Sequence, residues 1–291
     1  MNIVSGFISN INRREDRDIT KYLNFGIELM SVEIPMTIFI ESSVFHSHII
    51  SSLKLQKTRE GEFVYRVCGG LMDGLTCSFS YQIYGHITFV FFQHSDLFLW
   101  SSREIAHKFH LNTGNPNKDT LDYMMVQCQK SEWMAIAAHL SKHLYSTDTQ
   151  QKEYVWIDFG AFHMFHGKID VFQTELYKMR SRINRRLLNN SNNLQNNSRM
   201  TFARCWDPNR IYYGDIYKDV NWLFAGSVFG GNAETIQRFA LKMREKCFQI
   251  LRERNTLMWE INIWVLLYRE SEDMFALYPS DHSEIIFRGY S

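Results

Sequence analysis

At 291 residues the chain is longer than one minimal core requires, and 45% hydrophobic with 22% charged content is globular rather than disordered composition. A formal net charge of +1 supplies no global field towards nucleic acid or an anionic membrane surface, so neither is an expected partner. An aromatic share of 15% beside only four prolines favours a well-packed, sheet-containing body of enzyme type.

"NIVSGFI", from Asn2, reads as a short strand running into the polar stretch "SNINRRED". In "DITKYLNFGIELMSVE" the apolar residues Ile19, Tyr22, Leu23, Leu29 and Met30 recur at roughly helical spacing, with Asp18 placed to cap the N-terminus. "MTIFIE", from Met36, is a continuous apolar run of the kind a strand shows when both its faces are covered. Strand, helix, strand predicts a parallel α/β sheet. Between Phe63 and Trp100 the chain is rich in β-branched and aromatic residues broken by glycine, which predicts further strands or an inserted hairpin. A turn-rich segment, Asn112 to Asp119, then opens a helix over "TLDYMMVQCQKSEWMAIAAHLSKHL".

"YVWI", from Tyr154, reads as a buried strand. In "VFQTELYKMRSRINRRLL" Phe172, Leu176, Met179, Ile183 and Leu187 line one helical face, and the basic residues fall mainly on the other, a solvated face. The Asn-rich tract 189–198 reads as a surface loop. Trp222 to Ala225 is expected to be short and extended. A glycine-rich bend at Gly226, Gly230 and Gly231 should follow, then a helix capped by Asn232. "MFALY" is the last expected strand. The five cysteines, Cys68, Cys77, Cys128, Cys205 and Cys247, form no CxxC pair and no zinc spacing, which points to free thiols in a reducing compartment. The start shows no secretory pattern and the longest apolar runs fall short of a membrane span, so a cytoplasmic protein is expected.

Asp158 stands just past the carboxyl end of the strand from Tyr154, where α/β proteins hold ligands. A carboxylate there can hold a divalent ion or can cap the turn, and the residues admit both. Gly160 allows close backbone approach. His282, beside Asp281 in "YPSDHS", is a candidate second hard ligand. His163 and His166 stand three apart, but no further ligand pattern accompanies them.

The ordered set "SGFISNINRRED", "PMTIFIE", "NPNKDTLDYMMVQCQKSEWMAIA", "YVWIDFGAFH", "FAGSVFGG", "MWEINIWVLLY" and "YPSDHSEII" resembles the HtrL/YibB-like family of glycosyltransferases, a GT-A-like group. That resemblance implies one GT-A-like (Rossmann-like) α/β domain over 1–291, with a mixed, mainly parallel central sheet flanked by helices. Residues 1–170 would form its nucleotide-sugar-binding half and 171–291 its acceptor-binding half. The implied donor is a nucleotide-diphosphate sugar, with UDP the expected nucleotide, and the implied acceptor is a glycan or another hydroxyl compound. Mn²⁺ or Mg²⁺ would sit on the diphosphate. The group's D-x-D motif reads here Asp158-Phe159-Gly160, so one carboxylate is absent and His282 is the residue expected to complete the site with Asp158.

The same resemblance places Lys130 and Arg13 towards the donor's phosphates or base, with Gly6 and Gly160 admitting it; the alternative for both cations is an ordinary surface position. Glu260, between Trp259 and Ile261, would be the general base that deprotonates the acceptor, a ligand to sugar hydroxyls, or half of a buried ion pair. Trp259 would stack on a sugar or pack in the core, and Gly226 and Gly230 would frame the sugar or simply serve turns. Two rival readings are a non-catalytic binding protein of the same fold and a metal-dependent phosphohydrolase or nucleotidyltransferase. The second would call for clustered carboxylates that the sequence does not show.

Overall fold

The structure is a computed structural model and describes residues 1–9, 18–67, 73–104, 106, 118–145, 152–189, 199–212 and 214–290. The continuous apolar run of β2 (Met36–Ile40) is buried at every position, as a strand covered on both faces must be. It pairs in parallel with β1 (Asn2–Phe7), in a register running from Ile3 opposite Met36 to Phe7 opposite Ile40. Between them lies α1 (Ile19–Met30), whose N-terminus is closed by Asp18 Oδ1 accepting from the Lys21 amide at 2.7 Å. After β2 the chain forms a short helical segment, α2 (Ser42–Val44), that runs on in turns to Ser52.

β3 (Lys57–Arg66) and β4 (Thr76–Tyr84) make an antiparallel pair, and β5 (Ile87–Phe91) returns beside β4 to lie parallel against β2. The ambiguous region after Phe63 is therefore a hairpin plus a sheet strand. α3 (Leu121–Tyr145) leads into β6 (Glu153–Ile157), which pairs in parallel with the free side of β1. The rest comprises α4 (Ile169–Asn189), β7 (Met200–Arg204), β8 (Phe224–Asn232), α5 (Ala233–Arg254), α6 (Glu260–Glu270), β9 (Phe275–Pro279) and α7 (Ile285–Arg288). The sheet order is β3-β4-β5-β2-β1-β6-β8-β7-β9, and only β4 and β8 run against the others. The protein is thus an α/β fold with a mixed, mainly parallel sheet flanked by helices.

Two expectations change. The glycine-rich segment from Gly226 is no bend: Gly226, Gly230 and Gly231 lie inside β8, and Gly230 and Gly231 pair antiparallel with β6. Glycine within a strand marks close approach of a neighbour. At Gly230 a Cβ would collide with the Tyr154 carbonyl and the Tyr290 hydroxyl. Secondly, "MTFAR" is a sheet strand, β7, that the sequence reading does not anticipate. Asn232 does cap α5, its Oδ1 accepting from the Thr235 amide at 2.9 Å. The Asn-rich tract lies outside the described residues apart from its first residue, and Cys68 also lies outside them; the other four cysteines are free.

Side-chain alternation divides the core in two. Val4, Phe39, Trp156, Phe202 and Phe229 point to the face under α3, α5 and α6, while Ile3, Ile38, Val155, Ile157 and Val228 point to the face under α1, α4 and α7. On the first face Trp133 of α3 stacks between Phe39 and Trp156, with ring centroids 5.5 and 5.8 Å away. The strand between those two rings carries Gly6, where a Cβ would come within 2.7 Å of the Trp133 ring. The C-terminal segment is held by Tyr290, whose hydroxyl donates to Glu153 Oε1 at 2.9 Å, the oxygen that also takes Arg186 at 2.8 Å.

The chain order fixes where a ligand belongs. From β1 the sheet grows one way through β2 and β5, then reverses to add β6 on the other side. The crevice outside the carboxyl ends of β1 and β6 is this fold's topological switch point.

Candidate functional site

Asp158 occupies that switch point. Its amide donates to Ser227 O at 3.0 Å, which extends the β6–β8 ladder by one residue, so alternation puts its side chain on the Trp156 side, beneath α3. Trp156 Nε1 donates to Asp158 Oδ1 at 2.7 Å. The same oxygen receives Lys130 Nζ at 3.0 Å. Lys130 projects from α3, 3% exposed, and also donates to Glu260 Oε1 and to the Gly226 carbonyl, each at 3.1 Å. An ammonium has three protons, and here all three have protein acceptors. Lys130 therefore points at its own carboxylates rather than out towards a phosphate.

Burial pulls the Lys130 pKa down, but Asp158 and Glu260 together outweigh it and hold the group above an ordinary lysine. With both carboxylates ionised, the cluster of Lys130, Asp158 and Glu260 sums to one negative charge. The two acids differ in access. The Asp158 side chain is 35% exposed, and its Oδ2 has no partner among the described residues. Glu260 is the first residue of α6, where the helix dipole favours a carboxylate, and its Oε2 is buried with no hydrogen bond. A buried, unsatisfied carboxylate oxygen is costly and marks a point where the fold favours something besides stability.

Gly226 makes this arrangement possible, since a Cβ there would overlap Glu260 Oε1 and approach Lys130 Nζ to 3.4 Å. Gly226→Ala is therefore expected to destabilise the chain by about 1–3 kcal/mol through overpacking, measured as a lowered denaturation midpoint. An unchanged midpoint would mean that Glu260 moves aside at no cost.

The remaining expected site residues are distributed as follows. Trp259 is buried, donates from Nε1 to Asp119 Oδ1 at 3.1 Å, and lies edge-on to Trp222 with centroids 5.8 Å apart. His282 packs edge-on against the same Trp222 at 4.8 Å, and burial lowers its pKa below the usual value despite the opposing pull of Asp281. It thus stands two aromatic rings away from Glu260. Among the described residues no three His, Cys, Asp or Glu side chains gather as a metal cluster. The space a Cβ would fill at Gly160 is taken by Tyr22, at 2.7 Å, as Trp133 takes it at Gly6. Arg13 lies outside the described residues. His163 bonds through Nδ1 to the Gly160 carbonyl at 2.6 Å, and His166 is exposed in a left-handed conformation, φ 50°.

Sequence reasoning missed Trp156 and Glu41. Strand period two puts Trp156 on the face of Asp158, a signal available in "WID". Glu41 ends β2 much as Asp158 ends β6. Its Oε2 takes the Ser9 amide at 2.5 Å, which ties the exit of β1 to that of β2. Comparison of the chain with family models, with curated proteins and with solved structures finds no match in any of the three.

Proposed function

We propose that the protein is a metal-assisted glycosyltransferase of GT-A-like fold, akin to the HtrL/YibB-like family. It would move a hexose or N-acetylhexosamine from a nucleotide-diphosphate sugar, UDP-linked in the first instance, to a hydroxyl acceptor. The observation that carries this reading is Asp158: a carboxylate at the switch point of a mainly parallel sheet, one oxygen fixed by Lys130 and Trp156 and the other open.

The residues fit a divalent cation of modest protein ligation. A net negative cluster with one exposed carboxylate oxygen suits Mg²⁺ or Mn²⁺ held chiefly by diphosphate oxygens and water. Asp158 would hold the ion. His282 is exposed and packs against Trp222 in this conformation, so it would have to leave that ring to join Asp158. A bound ion would offset the charge growing on the departing diphosphate.

The chain's own groups do the rest. Lys130 fixes the position of Asp158 and offsets half of the negative charge that Asp158 and Glu260 bring together. Trp156 orients Asp158 by a second bond to the same oxygen. Glu260 keeps Oε2 clear of hydrogen bonds, and this reading places the acceptor's proton on that oxygen. Incubation with UDP-, GDP- and dTDP-sugars plus Mn²⁺ should release nucleoside diphosphate slowly, and one nucleotide should raise the melting temperature only when metal is present. If no nucleotide stabilises the protein, the reading is overturned.

A further inference from the structure

We propose a second ligand site at the opposite end of the sheet, for a small organic anion that also carries hydroxyl groups. The amino ends of β1, β2 and β5 and the last turns of α3 enclose a cavity of about 480 Å³, a volume within the range of small-molecule sites. It is independent of Asp158, which stands at the carboxyl ends of the same strands.

The cavity wall carries polar groups of a kind a packed core excludes. Thr37 and Thr88 are register partners on β2 and β5, only 4% and 6% exposed, and both line the cavity. Neither side chain forms a hydrogen bond within the described residues. Ser141 of α3, 4% exposed, lines the space as well. Asn2 contributes a buried Oδ1 with no partner. Valine in place of each threonine would fill the same volume without a hydroxyl to satisfy, so these groups are better explained by a ligand than by packing.

The charge on the lining has one sign. Lys152 and Arg180 contribute to it, and no Asp or Glu does. Lys152 Nζ lies 5.4 Å from the centre of the Tyr145 ring, and Arg180 spends one nitrogen on the Glu33 carbonyl at 3.3 Å, with four guanidinium protons beyond that bond. Buried hydroxyls beneath a basic mouth match a sugar phosphate or a sugar acid: polyol inside, anionic group at Arg180 and Lys152. Apolar contacts from Met36 and Leu140 complete the enclosure.

Isothermal titration of the full chain with glucose 6-phosphate and 6-phosphogluconate tests this. Saturable one-site binding is expected for at least one probe, weakened about tenfold or more, or 1.4 kcal/mol, by the Thr37→Val/Thr88→Val pair and by Arg180→Met. Ser141→Ala serves as a smaller lesion should the double variant fold poorly, and it should weaken binding in the same direction. Asp158→Asn should leave binding intact. The proposal is overturned if neither probe saturates, or if inorganic phosphate binds as tightly as the sugar phosphate. It is equally overturned if binding is lost in Asp158→Asn and kept in the threonine variants, which would put the anion in the donor site.

Discussion

Lys130→Met should lower the stability of the chain by about 3–5 kcal/mol, the loss seen when one partner of a buried ion pair is removed and the other remains. The side chain is 4% exposed, and among the described residues its Nζ is the hydrogen-bond partner of Glu260 Oε1. Methionine replaces its length but leaves Glu260 buried with neither oxygen satisfied. The denaturant midpoint should therefore fall with the slope little changed. Adding Glu260→Gln to the same variant should restore much of the loss, because a buried pair replaced on both sides is often close to neutral. Equal losses in the single and double variants would assign the effect to packing, not charge. The sign of the pH dependence is a further check. Despite burial, Asp158 and Glu260 raise the Lys130 pKa in the folded state, so the stability Lys130 contributes is fully present below the pKa of an unfolded lysine and is lost as pH rises through the folded value. The gap between wild type and Lys130→Met should therefore be constant near neutrality and narrow above about pH 10.4.

Much of the scaffold was legible because local signals and tertiary needs agreed. β1, α1 and β2 follow from two apolar runs, a helical stripe and an N-cap at Asp18, and each serves the sheet as its pattern suggests. The same holds for α4 and for Asn232 at the start of α5. The glycines of β8 misled for a physical reason. Glycine alone predicts a turn, yet Gly226 and Gly230 are strand residues because Glu260, Tyr290 and the Tyr154 carbonyl occupy the space of their missing side chains. None of those neighbours is local in sequence. β7 went unread because five residues of "MTFAR" carry too little periodicity to decide.

At the site, Asp158 was visible as a carboxylate ending an apolar strand, but its partner was not. α3 is wedged between the sheet and α5 and α6, so it is buried around most of its circumference; Gln129, Lys130, Ser131 and Glu132 are all buried in succession. A helix without a polar face gives no sign of which cation turns inward. Lys130 and Glu260 are 130 residues apart, and only the fold brings them together. α3 carries a second buried pair two residues further on, Glu132 with Arg244 of α5, which locks α3 to the helix preceding Glu260.

Asp158→Asn is the sharper functional test because it changes charge while retaining shape. Its amide oxygen can still accept from Lys130 and Trp156, so the geometry at Oδ1 is conserved and the fold should persist. What disappears is the negative charge at Oδ2, and with it the net charge of the cluster, which becomes zero. A divalent cation then loses the Asp158 carboxylate oxygen that the proposed site offers it. Nucleotide-dependent stabilisation in the presence of Mn²⁺ should vanish. Turnover should fall by about 10²- to 10³-fold, the scale on which one electrostatic contact to a transition state acts. Glu260→Gln should separate from this by lowering turnover while donor affinity holds, since Glu260 is assigned to the acceptor's proton and not to the diphosphate. Should Asp158→Asn keep full donor affinity and an ordinary manganese requirement, the ion is held elsewhere, and Asp158 serves only to hold Lys130 and Trp156 through Oδ1.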